Sequence, residues 1–337
     1  MNEYFLLPNN KIVSILIKIL SNLYTLPILI ERENASHRDG TQWELESVGS
    51  HTLLRISKSD LSDIRLNISL LGNATSSQSI LNSAKKMFLF LLVKINQQCQ
   101  HKGTRLRDDI SFHLQELVDC GLYASIKSAR KGFLAAAKVL SAIQIMGYDK
   151  VDGEDGKKKV IISEPLCPFT GFGISHNLCS VTVNPAMDIA FLCHTYAIIP
   201  KEIFGLSNRA FTLLWYLCFL ARQNIKKLVA DGYFTLNIRT IQALLSLPPA
   251  ERNKDVKRTI KQPVEDAVQE IMEATNGTVE IEIVKQETAI KEYLKQGYLK
   301  IKLSNSFIEY YQQLFENKKI MELCYEKDDI RRRKASH

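Results

Sequence analysis

The chain lacks the compact signatures that announce an enzyme or a metalloprotein. It has no G-x-x-x-x-G-K-[ST] loop. The stretch GEDGKKK misses both the spacing and the hydroxyl residue, so no backbone cradle for nucleotide phosphates is expected. No His-x-His run occurs, which removes the metal site of a rolling-circle nicking enzyme. The seven cysteines (Cys99, Cys120, Cys167, Cys179, Cys193, Cys218 and Cys324) are odd in number and include no C-x-x-C pair. The seven histidines are isolated. Neither Cys193 with His194 nor His176 with Cys179 finds a second pair at zinc spacing. Asp152, Glu154 and Asp155 lie on a glycine-rich turn, where carboxylates are ordinarily solvated. The expectation is therefore no catalysis, no cofactor and no metal. Negative charge is also short: 36 Asp and Glu stand against 44 Lys and Arg, a net +8, which favours a polyanionic partner.

A secretory signal peptide is not expected either. Glu3 precedes any basic residue, and no small-x-small cleavage site follows the first apolar stretch. Several cysteines sit inside apolar runs, such as Cys218 in LLWYLCFLA. Buried free thiols fit a reducing compartment, so a cytoplasmic protein is expected.

What is present is an ordinary globular composition, 45% apolar and 24% charged, over 337 residues, enough for about two domains. Residues 11–30 (KIVSILIKILSNLYTLPILI) form the most apolar segment, with a narrow polar stripe at helical spacing. Their length would span a membrane, but Lys18, Asn22 and Pro27 oppose that, and a packed or partner-binding helix is expected. Short strand-like runs follow at HTLLRIS and IRLNISLL, so residues 1–78 read as an N-terminal extension of an apolar helix plus short strands.

From residue 79 the pattern becomes orderly. A long core helix over 79–100 carries Leu81, Ala84, Met87, Phe88, Leu91, Leu92 and Ile95 on a wide apolar face. A shorter helix is predicted over 109–122, with Ile110, Leu114, Leu117 and Val118 inward and Gly121 as its break. Ser125 then caps a helix with Ile126, Ala129, Phe133, Ala137, Leu140 and Ile143 on its apolar side. Its polar side carries Lys127, Ser128, Arg130, Lys131 and Lys138. Two β-type runs, IQIMGYDKV and KKKVIIS, flank a DGEDG turn and predict a hairpin with Lys157, Lys158 and Lys159 beside its tip.

The order then repeats: a long helix over 207–223, a strand over 233–238, a short helix over 239–247, and a polar connector with Arg252 and Lys254. The helix over 255–275 follows, with Asp255 as cap and Val256, Ile260, Val264, Ala267, Val268, Ile271 and Met272 on one stripe. Lys257, Arg258 and Lys261 occupy its first turns. Cations there oppose the helix dipole at roughly 0.3–1 kcal/mol each, a cost that makes sense if the turn faces an anion. Pro263 predicts a kink, since it removes one backbone bond and clashes with the carbonyl of Thr259. Strands TVEIEIVK and GYLKIKL, a closing helix over 305–323 and a charged tail complete the chain.

The reading is an α+β, mainly helical chain of two tandem winged helix-turn-helix domains, 79–196 and 197–325, between the extension and a tail at 326–337. The expected DNA-binding residues are Lys127, Ser128, Arg130, Lys131, Lys157, Lys158, Lys159, Arg252, Lys254, Lys257, Arg258 and Lys261. Ser128, Arg130 and Arg258 are the better candidates for base edges. Lys157, Lys158 and Lys159 should mainly neutralise phosphates.

The segments FTLNIRTIQALLSL, DVKRTIKQPVEDAVQEIMEATNGTVEIEIVKQ and GYLKIKL resemble the C-terminal module of iteron-plasmid replication initiators of the RepA/RepB/RepE class. Lys257, Arg258, Pro263, Ala267, Glu270 and Ile271 carry the resemblance, and SVTVNPAMDIAFL is similar to the strand and Pro turn joining that family's two modules. It covers roughly residues 80–320 and implies double-stranded DNA with origin repeats as partner, contact with a host initiator and helicase, and a homodimer repressing its own promoter. Two alternatives stay open: a transcriptional regulator with the same modules, and a membrane-tethered or structural interaction protein using residues 11–30.

Overall fold

A computed structural model describes residues 4–8, 13, 16–17, 20–21, 41–48, 51–58, 61–67, 78–100, 109–152, 158–162, 167–184, 196–248, 255–284 and 290–313. Helix α1 (Gln78–Gln100) follows from its composition. Leu81, Ala84, Met87, Phe88, Leu91, Leu92 and Ile95 are buried as the periodicity requires, and Leu89, Phe90 and Val93 join them, so the helix is enclosed on nearly every side.

The segment after it departs from expectation. Residues predicted as one helix split into strand β5 (Asp109–His113) and helix α2 (Leu114–Asp119). The alternation of Asp-Ile-Ser-Phe-His buries Ile110 and Phe112 on one face, a period of two that a helix could not satisfy. Glu116 Oε1 accepts from the backbone N–H of His113 at 2.8 Å and so fixes the start of α2. Ser125 caps α3 (Ile126–Leu140) as expected, accepting from Ser128 N at 3.2 Å. Ala129, Phe133, Ala136, Val139 and Leu140 face inward, whereas Ile126 is exposed.

The predicted hairpin forms, but elsewhere. Strands β6 (Ile145–Asp152) and β7 (Lys158–Ile162) extend a five-stranded antiparallel sheet begun by β2 (Thr41–Val48), β3 (His51–Lys58) and β4 (Leu61–Asn67), in the order β2-β3-β4-β6-β7. β6 takes the otherwise open edge of β4, which leaves β5 without a partner from this hairpin. That partner comes from β8 (Phe169–Ser175) and β9 (Leu178–Val183), joined by His176 and Asn177 and arranged β5-β9-β8. A file of rings ties the unit together. Phe90, Phe112, Phe133 and Phe172 meet edge-on at centroid distances of 5.1, 6.0 and 5.9 Å, running from α1 through β5 and α3 to β8.

The second unit repeats the order long helix, strand, short helix, longer helix, with two short helices added. Strand β10 (Tyr196–Pro200) and a 3-10 turn (Lys201–Gly205) lead to α4 (Asn208–Gln223), whose cap Ser207 accepts from Ala210 N at 3.4 Å. Helix α5 (Ile225–Asp231), not predicted from the sequence, ends at Gly232, where a φ of 76° suits a residue without Cβ. Strand β11 (Phe234–Asn237) and α6 (Ile238–Leu244) follow, with Asn237 Oδ1 accepting from Thr240 N at 3.0 Å.

A π-helical turn (Lys257–Lys261) opens α7 (Gln262–Thr275). Strands β12 (Val279–Val284) and β13 (Tyr298–Leu303) then flank α8 (Ile290–Gln296), in the order β11-β13-β12. In both units the strand preceding the second helix pairs with the last strand. The β12–β13 register sets Val279, Ile281 and Ile283 opposite Leu303, Ile301 and Leu299, and Glu280 and Glu282 opposite Lys302 and Lys300. One slip would bury the charges.

The N-terminal residues are part of this core. Strand β1 (Tyr4–Pro8) pairs with β10. Among residues 11–30, Val13, Leu16, Ile17, Leu20 and Ser21 are helical and buried in the protein's own interior, with Ser21 Oγ donating to Ile17 O at 2.8 Å. Among the described residues no helix is long and apolar enough to cross a membrane.

Candidate nucleic-acid interface

Helix α3 contains no acidic residue. Lys127, Lys131, Leu134 and Lys138 fall at steps of four, three and four, so they lie on one stripe, and all four are exposed. Ser128 and Arg130, the expected base readers, are engaged within the protein. Ser128 Oγ accepts from Ser125 N at 3.0 Å and donates to Ser125 O at 2.7 Å, completing a reciprocal cap. The Arg130 guanidinium donates to the His176 carbonyl and to Asn177 Oδ1 at 3.3 Å, which ties the helix to the β8–β9 turn. Both side chains thus shape the front of α3. The two lysines beside them are the ones that project.

Lys158 and Lys159 open β7, at the turn end of the β6–β7 hairpin read from the sequence, and that hairpin is built into the five-stranded sheet through the pairing of β6 with β4. Lys157, Arg252 and Lys254 lie outside the described residues. The hairpin tip that does meet α3, Ser175 to Leu178, was missed from sequence. Gly171 and Gly173 dilute the β-character of FTGFGIS, and the remaining signal was the His-Asn pair between two alternating runs.

In the second unit Asp255 acts as the predicted cap, its Oδ1 accepting from Arg258 N at 3.1 Å. Pro263 has no N–H to offer, and the backbone before it widens: Gln262 N donates to the Lys257 carbonyl five residues back. Lys257 and Arg258 are exposed on this turn. Lys261 is half-buried, 3.8 Å from Glu265 and over the Tyr293 ring at 5.7 Å, so it braces α8 against α7. The acids behind the front are spoken for in the same way. Glu270 accepts from Ser207 N and Oγ, both at 2.5 Å, Asp266 accepts from Gln262 Nε2 at 2.8 Å, and Glu273 from Gln269 Nε2 at 2.7 Å.

The front of α3 borders a cleft at the start of α4, and the rear of α7 is tied to the same place. A shallow cleft of about 380 Å³ is lined by Lys86, Tyr123, Ser128 and Lys131 on one side and Asn208 on the other. Ser207, beside Asn208, is the residue that Glu270 of α7 holds. Gly132 makes the cleft floor possible, because a Cβ there would collide with the Tyr123 ring, whose hydroxyl bonds Ser83 at 2.6 Å. The α1–α4 contact is polar and buried. Lys85 Nζ donates to Thr212 Oγ1 at 2.5 Å, and Lys86 Nζ to the Leu206 carbonyl at 2.5 Å. Burial, with some help from Lys86, brings Lys85 down to a pKa of about 7.

Among the described residues no group of three His, Cys, Asp or Glu is placed to hold a metal. His176 is exposed on its turn while Cys179 points inward, where burial pushes its thiol up to about 11. Cys193 and His194 lie outside the described residues.

No family model matches this chain, and no curated protein matches its sequence. Among solved structures, a selenomethionine crystal structure of domain 2 and domain 3 of RctB is similar at a TM-score of 0.46 and 10% identity, covering 79% of this chain and 93% of that one. A second structure of RctB domains 2-3 gives 0.45 and 8%, covering 82% and 96%. At that identity and overlap the likeness is too loose to bear on function.

Proposed function

We propose that the chain binds duplex DNA through two tandem winged helix-turn-helix modules and acts at repeated sites, as an initiator of replication would. One observation carries the reading. The order long helix, strand, short helix, longer helix occurs twice, and each time the last of these begins with exposed cations, Lys127 and Lys131 on α3 and Lys257 and Arg258 on the turn before α7. Such cations cost helix stability, and a phosphate backbone offsets that cost. The action is binding and deformation of DNA, with no covalent chemistry of its own. The resemblance of roughly residues 80–320 to iteron-plasmid initiators adds the origin repeats, a host initiator and helicase, and a homodimer to the proposal.

The test is a salt-titrated affinity measurement on duplexes recovered from a randomised pool, against unselected duplex. Binding should weaken steeply with salt. Lys127→Glu with Lys131→Glu, or Lys257→Glu with Arg258→Glu, should each weaken it at least tenfold at about 0.1 M salt. Each pair should also lower the log–log slope by about two, roughly one for every phosphate no longer neutralised. Salt-independent binding, or double variants that bind as before, would remove the proposal. Direct repeats of the recovered sequence beside the gene separate an initiator from a transcription regulator.

A further inference from the structure

Leu134 is the most exposed large apolar residue of α3, with 52% of its surface open. A single surface leucine is ordinary. Its neighbours are what distinguish this one. It occupies the third place of the stripe Lys127, Lys131, Leu134, Lys138, so an apolar side chain sits between cations on the face of a helix that has no acid anywhere. Two polar side chains near that face already bond within the protein: Ser128 closes the helix cap, and Arg130, itself exposed, holds the β8–β9 turn through its Nη2 at His176 and Asn177. Leu134 is the chemically distinct group among the exposed lysines of the stripe.

On duplex DNA an apolar side chain has one matching feature at the floor of the major groove, the 5-methyl group of thymine. We infer that Leu134 reads thymine methyl groups, with Lys127, Lys131 and Lys138 fixing the helix on the flanking phosphates. The first module thus selects its site by apolar contact. This rests on the DNA-binding reading above and adds the base it recognises.

Charge complementarity argues for this occupant over a second protein surface. A protein covering Leu134 must also desolvate three lysines within two turns on either side of it, whereas a phosphate backbone presents anions at that spacing.

The experiment uses the full chain and the tightest duplex recovered from a randomised pool, prepared once with thymine and once with uracil, which lacks only the methyl group. Wild type should bind the uracil duplex about three- to fivefold more weakly for each thymine contacted, the size expected for one buried methyl. Leu134→Ala should lose the part of that difference due to the leucine, so that its thymine-to-uracil affinity ratio falls below that of wild type by about the same three- to fivefold. Leu134→Met, which keeps the apolar volume, should retain most of the preference. Because uracil alters the duplex for every protein equally, the ratio of the two ratios is the readout. Leu134 is exposed, so circular dichroism melts should coincide for all three proteins.

Salt-dependent binding with the same thymine preference in wild type and Leu134→Ala overturns the inference and leaves the proposed function standing. So does a recovered site without thymine opposite α3. A change of sedimentation mass in Leu134→Ala with no change in the ratio makes Leu134 a self-association contact instead. No duplex binding at all by wild type sinks both.

Discussion

Lys85 shows how much one residue can couple the two modules. The residue is 1% exposed, with its amine hydrogen-bonded to Thr212 and 5.5 Å from the Phe211 ring centroid. With its pKa lowered from 10.5 to about 7, the folded state holds fewer protons than the unfolded state between those values. Stability contributed through this group therefore rises as pH climbs from about 7 towards 10.5 and is flat below that window. Lys85→Met keeps the stem and drops the amine. Thr212 Oγ1 remains satisfied, since it donates to the Asn208 carbonyl at 2.7 Å. The variant should be more stable than wild type by about 1–2 kcal/mol at pH 7, and urea melts at pH 7 and 9 should show the gap closing as pH rises. A variant less stable at both values would mean that Lys85 contributes net attraction. Nothing in the sequence singled this residue out. Lys85 sits in an apolar helix like any snorkelling lysine, and its burial arises only because α4 closes over it.

At the scale of elements, the front of α7 is set by one missing N–H. A π-turn adds one residue to the helical path, which turns everything before it by about 100° relative to a regular helix. Pro263 thereby aims Lys257 and Arg258. Pro263→Ala restores the donor to Thr259. The ladder should then close, with no loss of stability in urea, while duplex affinity drops about tenfold through misdirected cations. Unchanged affinity would show that the aim of this turn is irrelevant.

A break in the regular helical ladder before Pro263 was legible in the sequence, because proline chemistry is local; it takes the form of the π-turn. The stripes of α1, α3 and α7 and the caps Ser125 and Asp255 were legible for the same reason. The split of residues 109–119 into β5 and α2 was not, since a five-residue alternation competes poorly with a helical period until β9 supplies the partner strand. Helices α5 and α8, seven residues each, were too short to show a period.

Across the whole molecule, β1 acts as a clasp. It pairs with β10 between the units, Asn96 of α1 donates to the Leu6 carbonyl at 2.9 Å, and Tyr4 meets Phe307 and Tyr310 at 5.2 and 5.8 Å. Phe5 reaches Phe204, which also touches Phe90 of the first unit and Phe211 of the second. Removing residues 1–8 should lower the unfolding free energy by at least the ~2–5 kcal/mol of a buried leucine, since Leu7 is 2% exposed. Calorimetry should then resolve two transitions where the intact chain gives one. A single transition at an unchanged temperature would deny the clasp.

The sequence by itself determined the long helices α1, α3, α4 and α7, the caps Ser125, Ser207 and Asp255 and the cations at two helix fronts, because periodicity, capping and charge act within a few residues. Only the tertiary structure decided which hairpin completes the first unit, which of those polar side chains bond within the protein, and where residues 4–8 and Val13, Leu16, Ile17 and Leu20 pack. Each of these depends on a partner strand or surface far away in the chain. An open edge such as that of β4 accepts whichever strand the packed core brings to it.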